Sequence, residues 1–156
     1  MKKHILSKPF AGLFVSILFL MLFNVTVKAQ EKTLYQRLGG VKPISLVVDD
    51  FIDRLVNNDE LNMNPMIKAG REHSPAAYLK FQVTNLVCQV TGGPCVYTGL
   101  GMKEAHKHLN ITEKEWQVMR DEFKKSLDKF MVPEKEQNEL FNIVESTKKD
   151  IVKMKE

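Results

Sequence analysis

Cysteine is scarce in this sequence, with only Cys88 and Cys95 among 156 residues. The six residues between them fit neither a zinc-binding pattern nor a Cys-x-x-Cys redox motif. No Cys-x-x-Cys-His run is present either. Phosphate cradles are also missing, because neither Gly39-Gly40-Val41-Lys42 nor Thr98-Gly99-Leu100-Gly101 has the spacing of a P-loop. No stretch sustains period-two alternation, and there is no internal repeat or low-complexity tract, which argues against a sheet or a solenoid. The folded part has no excess of charge. Four of the 23 basic side chains, Lys2, Lys3, Lys8 and Lys28, precede residue 31, and none of the 19 acidic ones does, so the remainder is formally neutral. A sequence pI near 9.0 therefore gives no support to nucleic-acid binding.

What precedes residue 31 has its own signature. Met1-Lys2-Lys3-His4 leads into an apolar run from Phe10 to Val27, followed by Lys28-Ala29-Gln30. This is the layout of a secretory signal peptide, residues 1–30, with removal expected near Ala29 or Gln30. Left uncleaved, the run is long enough to act as a membrane anchor. Either way residues 31–156 are expected to form one exported, periplasmic domain of ordinary size. In that compartment Cys88 and Cys95 either pair across a helix end, or leave a buried Cys88 beside an unpaired Cys95.

Helical periodicity dominates the rest. Ile44, Val47, Val48, Phe51, Ile52, Leu55 and Val56 mark one buried helix face, with Pro43 in the first turn. The stretch from Asn57 to Ser74, rich in Asn and holding Pro65 and Gly70, reads as a connection with at most a turn or two of helix. Ser74-Pro75 reads as an N-cap and first-turn proline before a helix through Tyr78, Leu79, Phe81, Val83, Leu86, Val87 and Val90. Thr91-Gly92-Gly93-Pro94 stops that helix. Thr112-Glu113-Lys114-Glu115 is a capping box opening a helix with Trp116, Met119, Phe123, Leu127 and Phe130 inside. Pro133 begins a last helix carrying Leu140, Phe141, Val144, Ile151 and Val152. The class is all-α.

Three motifs now stand out: Leu34-Tyr35-Gln36-Arg37-Leu38-Gly39-Gly40, Gly92-Gly93-Pro94-Cys95-Val96-Tyr97-Thr98-Gly99, and Met102-Lys103-Glu104-Ala105-His106 followed by Asn110-Ile111-Thr112. Together they resemble the group I truncated haemoglobins over most of Thr33 to Val152. The resemblance implies a two-over-two helical globin enclosing haem b. It also implies His106 as the proximal iron ligand, since the porphyrin supplies four iron ligands and one imidazole completes the set. His108, two residues on, points about 200° away on a helix and is expected to face solvent.

On the distal side the chain departs from the family. Ile52 stands where members usually carry a tyrosine whose hydroxyl bonds dioxygen. Extending back from Gly92-Gly93 without a gap puts Leu79, Gln82 and Val83 toward haem, and sliding by one residue puts Tyr78 and Gln82 there. Phe51, Met66, Leu86, Tyr97 and Met102 complete the expected haem contacts, Met66 or Ile67 replacing a missing phenylalanine. Expected partners are dioxygen, nitric oxide or another small haem ligand. Nitric oxide dioxygenation would require a separate electron donor, since the sequence shows no flavin or nicotinamide domain. Two other readings remain: a haem sensor or electron carrier with His73 or Gln82 as sixth ligand, and a haem-free helical interaction protein.

Overall fold

The computed structural model describes residues 31–153, so the expected leader over 1–30 lies outside the described residues. Within them the chain forms α1 (Leu34–Arg37), α2 (Val41–Asn57), α3 (Asp59–Asn62), α4 (Pro65–His73), α5 (Ala76–Val90), α6 (Met102–His106), α7 (Glu113–Lys129) and α8 (Glu134–Ile151). The only β-type pairing among the described residues is a bridge between Ile111 and Val152. No described helix is long and apolar enough to cross a membrane.

The segment from Asn57 to Ser74 is more helical than expected. Asn58 ends α2 and caps α3, its side chain accepting from the Leu61 N–H at 3.1 Å. Asn64 repeats the device for α4, accepting from Met66 and Ile67 N–H at 2.9 and 3.3 Å, with Pro65 at the first helical position. The residues that look like loop are thus helix caps and a helix-initiating proline. Apolar periodicity is faint because α4 has no fully buried residue. The next boundary moves as well. Ser74 terminates α4, and Pro75 is extended (φ −60°, ψ 153°), so α5 starts at Ala76 and Ser74 is not its cap.

Two helix pairs build the body. On one side α5 lies along α2; on the other α7 packs with α8, and α2 crosses α7 to join the pairs. Ile44, Val48 and Ile52 of α2 meet Ala76, Leu79, Val83 and Val87 of α5. Phe123 sits at the junction, with ring centroids 5.1 Å from Phe51 and 5.3 Å from Phe141, in tilted and edge-on geometries favoured by aromatic quadrupoles. A third cluster, Ile111, Trp116 and Val152, holds the end of α8 against the start of α7.

Asp50 makes the polar tie between α2 and α7. Its carboxylate accepts from Arg54 at 2.7 Å and from Ser126 at 2.8 Å, and pairs closely with Lys129. Burial pushes its pKa up, but the hydrogen bonds from Lys129, Arg54 and Ser126 outweigh that and hold it at about 2.

The short α1 closes one end of the body. Thr33 and Gln36 form a reciprocal capping box, and the Tyr35 N–H donates to the Thr91 carbonyl at 2.8 Å. Gly39, Gly40 and Gly92 have φ of 87°, 88° and 87°, where a side chain would be strained. Gly93 is required for another reason. A Cβ there would lie 2.6 Å from the Tyr35 ring and 2.7 Å from both the carbonyl oxygen and the Sγ of Cys88.

Two expectations follow. Gly93→Ala should destabilise the fold by about 1–3 kcal/mol, as overpacking does, read by chemical denaturation. Asp50 should contribute about 1–2 kcal/mol, discounted because Lys129 is half exposed. Because the folded pKa lies below the unfolded value of 3.8, this contribution is complete above about pH 4 and is lost as pH falls through about 2. Asp50→Asn should flatten the stability profile in that window, and an unchanged acid limb would contradict the assignment.

Candidate functional site

His106 ends α6, a single turn entered through Gly101. Its Nδ1 lies 2.8 Å from the Met102 carbonyl oxygen, which can only accept, so Nδ1 carries the proton and Nε2 keeps its lone pair. Burial lowers the pKa of the ring; the bond to Met102 opposes this and nearby His108 adds to it, so the neutral form is favoured. A half-buried, neutral, oriented imidazole with one free nitrogen is what a metal needs from a single side chain. His108 is exposed and turned toward α4, where a Cβ on Gly70 would come within 3.9 Å of its Nε2. His73 is also exposed, its Nδ1 3.2 Å from the Ala69 carbonyl of its own helix.

Helix α5 carries the expected distal residues, and its two faces are distinct. Leu79 and Val83 belong to the stripe packed on α2. Tyr78 and Gln82, one turn apart, lie on another face and bond to each other at 3.1 Å. The Gln82 Oε1 is buried with no partner. Rotating the amide lets Oε1 accept from the Tyr78 hydroxyl and frees both amide hydrogens as donors. Gln82 belongs to both registers read from the sequence; Tyr78, from one of them, bonds to it, and Leu79 and Val83, from the other, pack on α2.

The remaining expected contacts fall in different places. Phe51 stacks on Phe123 within the core, and Ile52, 4 % exposed, packs toward α5. Leu86 is half-buried on α5. Met66 is 40 % exposed on α4, while Ile67 beside it packs on the Ile111 and Trp116 cluster. Tyr97 is fixed between the walls: its N–H donates to Gln89 Oε1 at 2.7 Å and its hydroxyl to the Leu100 carbonyl at 2.7 Å. Burial raises the Tyr97 phenol pKa, and nearby Tyr78 adds to the shift. Half-buried Met102 contributes its carbonyl to His106.

Three supports hold this region, the first among the outcomes read from the sequence and the other two not. Cys88 and Cys95 are bonded, their Cα atoms 5.7 Å apart, which ties the end of α5 to the chain leading into α6. Asn64 Nδ2 donates to the Leu109 carbonyl at 3.0 Å and to Glu115 Oε1 at 2.8 Å, fastening α4 to the turn after His106. Arg71 donates to the Leu55 and Val56 carbonyls at 2.8 and 2.9 Å, satisfying the open end of α2. Burial lowers the Arg71 pKa. No local pattern announces Asn64 or Arg71, because their partners are distant backbone carbonyls; the cysteine spacing alone allowed either outcome.

Comparison with known proteins agrees with this arrangement. Residues 33–153 match the family model for bacterial-like globins. A group 1 truncated hemoglobin of Tetrahymena pyriformis is 24% identical over 123 residues, 79% of this chain and 97% of that protein. One from Synechocystis is 27% identical over 108 residues, 65% and 81% of the two chains. The crystal structure of the Tetrahymena pyriformis protein in its Fe(III) form superposes with a TM-score of 0.68, covering 79% of this chain and all of that one. A Synechococcus 2/2 hemoglobin, in the cyanomet state with covalently attached heme, gives 0.67 at 19% identity, covering 78% and 98%. The helix pairs α2/α5 and α7/α8 are thus the two-over-two globin fold, and the chain belongs to the bacterial-like globin family, whose members normally bind haem and small gas ligands.

Proposed function

We propose that this protein holds haem b between α5 and α6, with His106 Nε2 as the ligand to iron, and binds dioxygen or nitric oxide on the side of Tyr78 and Gln82. The observation that carries the reading is the pairing of an oriented imidazole on one wall with a buried, unpartnered amide oxygen on the other. The residues present fit the group. Phe81, Val96 and Leu100 are 62 %, 72 % and 64 % exposed, apolar surface suited to cover by a flat macrocycle. When bound, haem supplies a redox-active iron with four nitrogen ligands already in place. The chain's part is to fix the ring of His106 through Met102, to exclude water with apolar walls, and to present hydrogen-bond donors to a polarised ligand. Ile52 cannot donate, so that task passes to the Tyr78–Gln82 pair. The leader over residues 1–30 would place the domain in the periplasm, and nitric oxide dioxygenation there would draw on a separate electron donor.

Protein recovered from exporting cells tests the first part, its intact mass reporting whether the leader was removed. His106→Ala should lose most of its haem during purification, and His108→Ala should keep it. Full haem content with an unchanged ferrous spectrum in His106→Ala would exclude His106 as the ligand.

For the distal pair, stopped-flow dissociation of dioxygen is the measurement. A hydrogen bond to a polarised ligand is worth about 1.5–3 kcal/mol, about ten- to a hundredfold in release rate. Gln82→Leu and Tyr78→Phe should each accelerate release within that range, while carbon monoxide release barely changes. Slow release unaffected by either substitution would show that the donor lies elsewhere.

A further inference from the structure

The bond between Cys88 and Cys95 has one sulfur that a reagent can reach and one that it cannot. Cys88 is 0 % exposed, and Gly93 covers its Sγ so closely that a Cβ on residue 93 would stand 2.7 Å from that sulfur and 2.6 Å from the Tyr35 ring. Cys95 is half-buried between exposed Pro94 and Val96. A disulfide opens when a thiolate attacks one of its two sulfurs, so access decides which is attacked. Here that sulfur is Cys95 Sγ.

The bond restrains residues 94–101. Among the described residues this segment is bonded back to α5 by the disulfide and by one hydrogen bond, from the Tyr97 N–H to Gln89 Oε1 at 2.7 Å. Gln89 is exposed, so water competes for that bond. The segment also holds a shape of its own. The Tyr97 hydroxyl donates to the Leu100 carbonyl at 2.7 Å, and the ring lies over Gly99, where a Cβ would come 2.7 Å from Cε2. It is a small unit that one covalent bond fastens to α5.

From this asymmetry we infer that Cys95 Sγ is a thiol-exchange site, at which a dithiol reductant opens the disulfide and releases residues 94–101 from α5. The first thiolate bonds to Cys95 Sγ as the Cys88–Cys95 bond breaks, and the electron pair leaves on Cys88 Sγ, which takes up the proton that thiol gave. The second thiol of the reductant, giving up its own proton, attacks the reductant sulfur of the mixed disulfide, and Cys95 leaves with that proton. The reductant departs as its own disulfide, oxidised by two electrons, and the chain gains two thiols. A monothiol is poorly matched to this site. It stops at a mixed disulfide on Cys95 with the Cys88 thiol beside it, and the return attack restores the original bond. The segment so released carries Val96 and Leu100 and leads into α6, but the chemistry at Cys95 stands apart from the haem reading.

The test uses the purified, exported protein under carbon monoxide, which keeps ferrous haem from reacting with thiols, and takes glutathione and dithiothreitol as probes. After brief exposure to glutathione and an acid quench, fragment-ion mass spectrometry should find the adduct on Cys95 and not on Cys88. Cys88→Ala should form a mixed disulfide with oxidised glutathione, and Cys95→Ala should do so at least about tenfold more slowly. Should either variant fail to fold, the wild-type adduct carries the same information. At equal thiol concentration dithiothreitol should reduce the bond completely and glutathione should not. In the reduced protein the amides of residues 96–101 should exchange about ten- to a hundredfold faster, the scale set by closing so short a loop, with those of α7 unchanged. Attack at Cys88 as often as at Cys95 would overturn the inference, as would a bond that dithiothreitol cannot open in the folded protein or that glutathione opens as completely. Unchanged exchange at residues 96–101 after full reduction, or equal acceleration in α7, would equally refute it.

Discussion

The close approach of Tyr35 to Gly93 is the contact on which the end of α5 depends. The ring occupies the place where a Cβ on residue 93 would be, and the Tyr35 N–H is bonded to the Thr91 carbonyl. That contact ends α5 abruptly and directs the chain outward through Pro94 and Cys95. Beyond it eleven residues of mostly irregular chain, from Thr91 to Gly101, carry the backbone to α6, which packs on α8. The turn after α5 is made obligatory by a small helix, two glycines and one tyrosine.

Against this frame the two faces of α5 do separate work. The stripe through Ala76, Leu79, Val83 and Val87 supplies packing energy against α2, and Tyr78 and Gln82 take no part in that packing. Ile52, where the resemblance expects a tyrosine, gives α2 a well-packed aliphatic group, 4 % exposed, with no hydroxyl. Polarity here comes from α5, and apolar packing from α2. A donor on α5 is held by an i, i+4 partner on its own helix, so its direction is set locally.

Much of this was readable before any coordinates. The long helices α2, α5, α7 and α8 announce themselves through apolar spacing, and Thr112 and Glu115 through their capping box, because these signals are local. His106 stands out through its motif, and the structure places it at the end of α6 with its ring oriented by the Met102 carbonyl. What stayed hidden depends on distant partners. Asn58 and Asn64 looked like loop residues because asparagine serves turns and caps alike, and only a following helix distinguishes them. The two distal registers differ by one residue because Leu79 and Tyr78 are adjacent, and only packing against α2 tells their faces apart.

The bond between Cys88 and Cys95 encloses exposed Gln89, Val90, Gly92 and Pro94. A protease that cuts the backbone anywhere from Gln89 to Pro94 releases no fragment. The portion carrying Tyr78 and Gln82 and the portion carrying His106 stay covalently joined through sulfur, so a nicked molecule keeps the same mass apart from one added water. The two portions thus outlive the peptide bond between them.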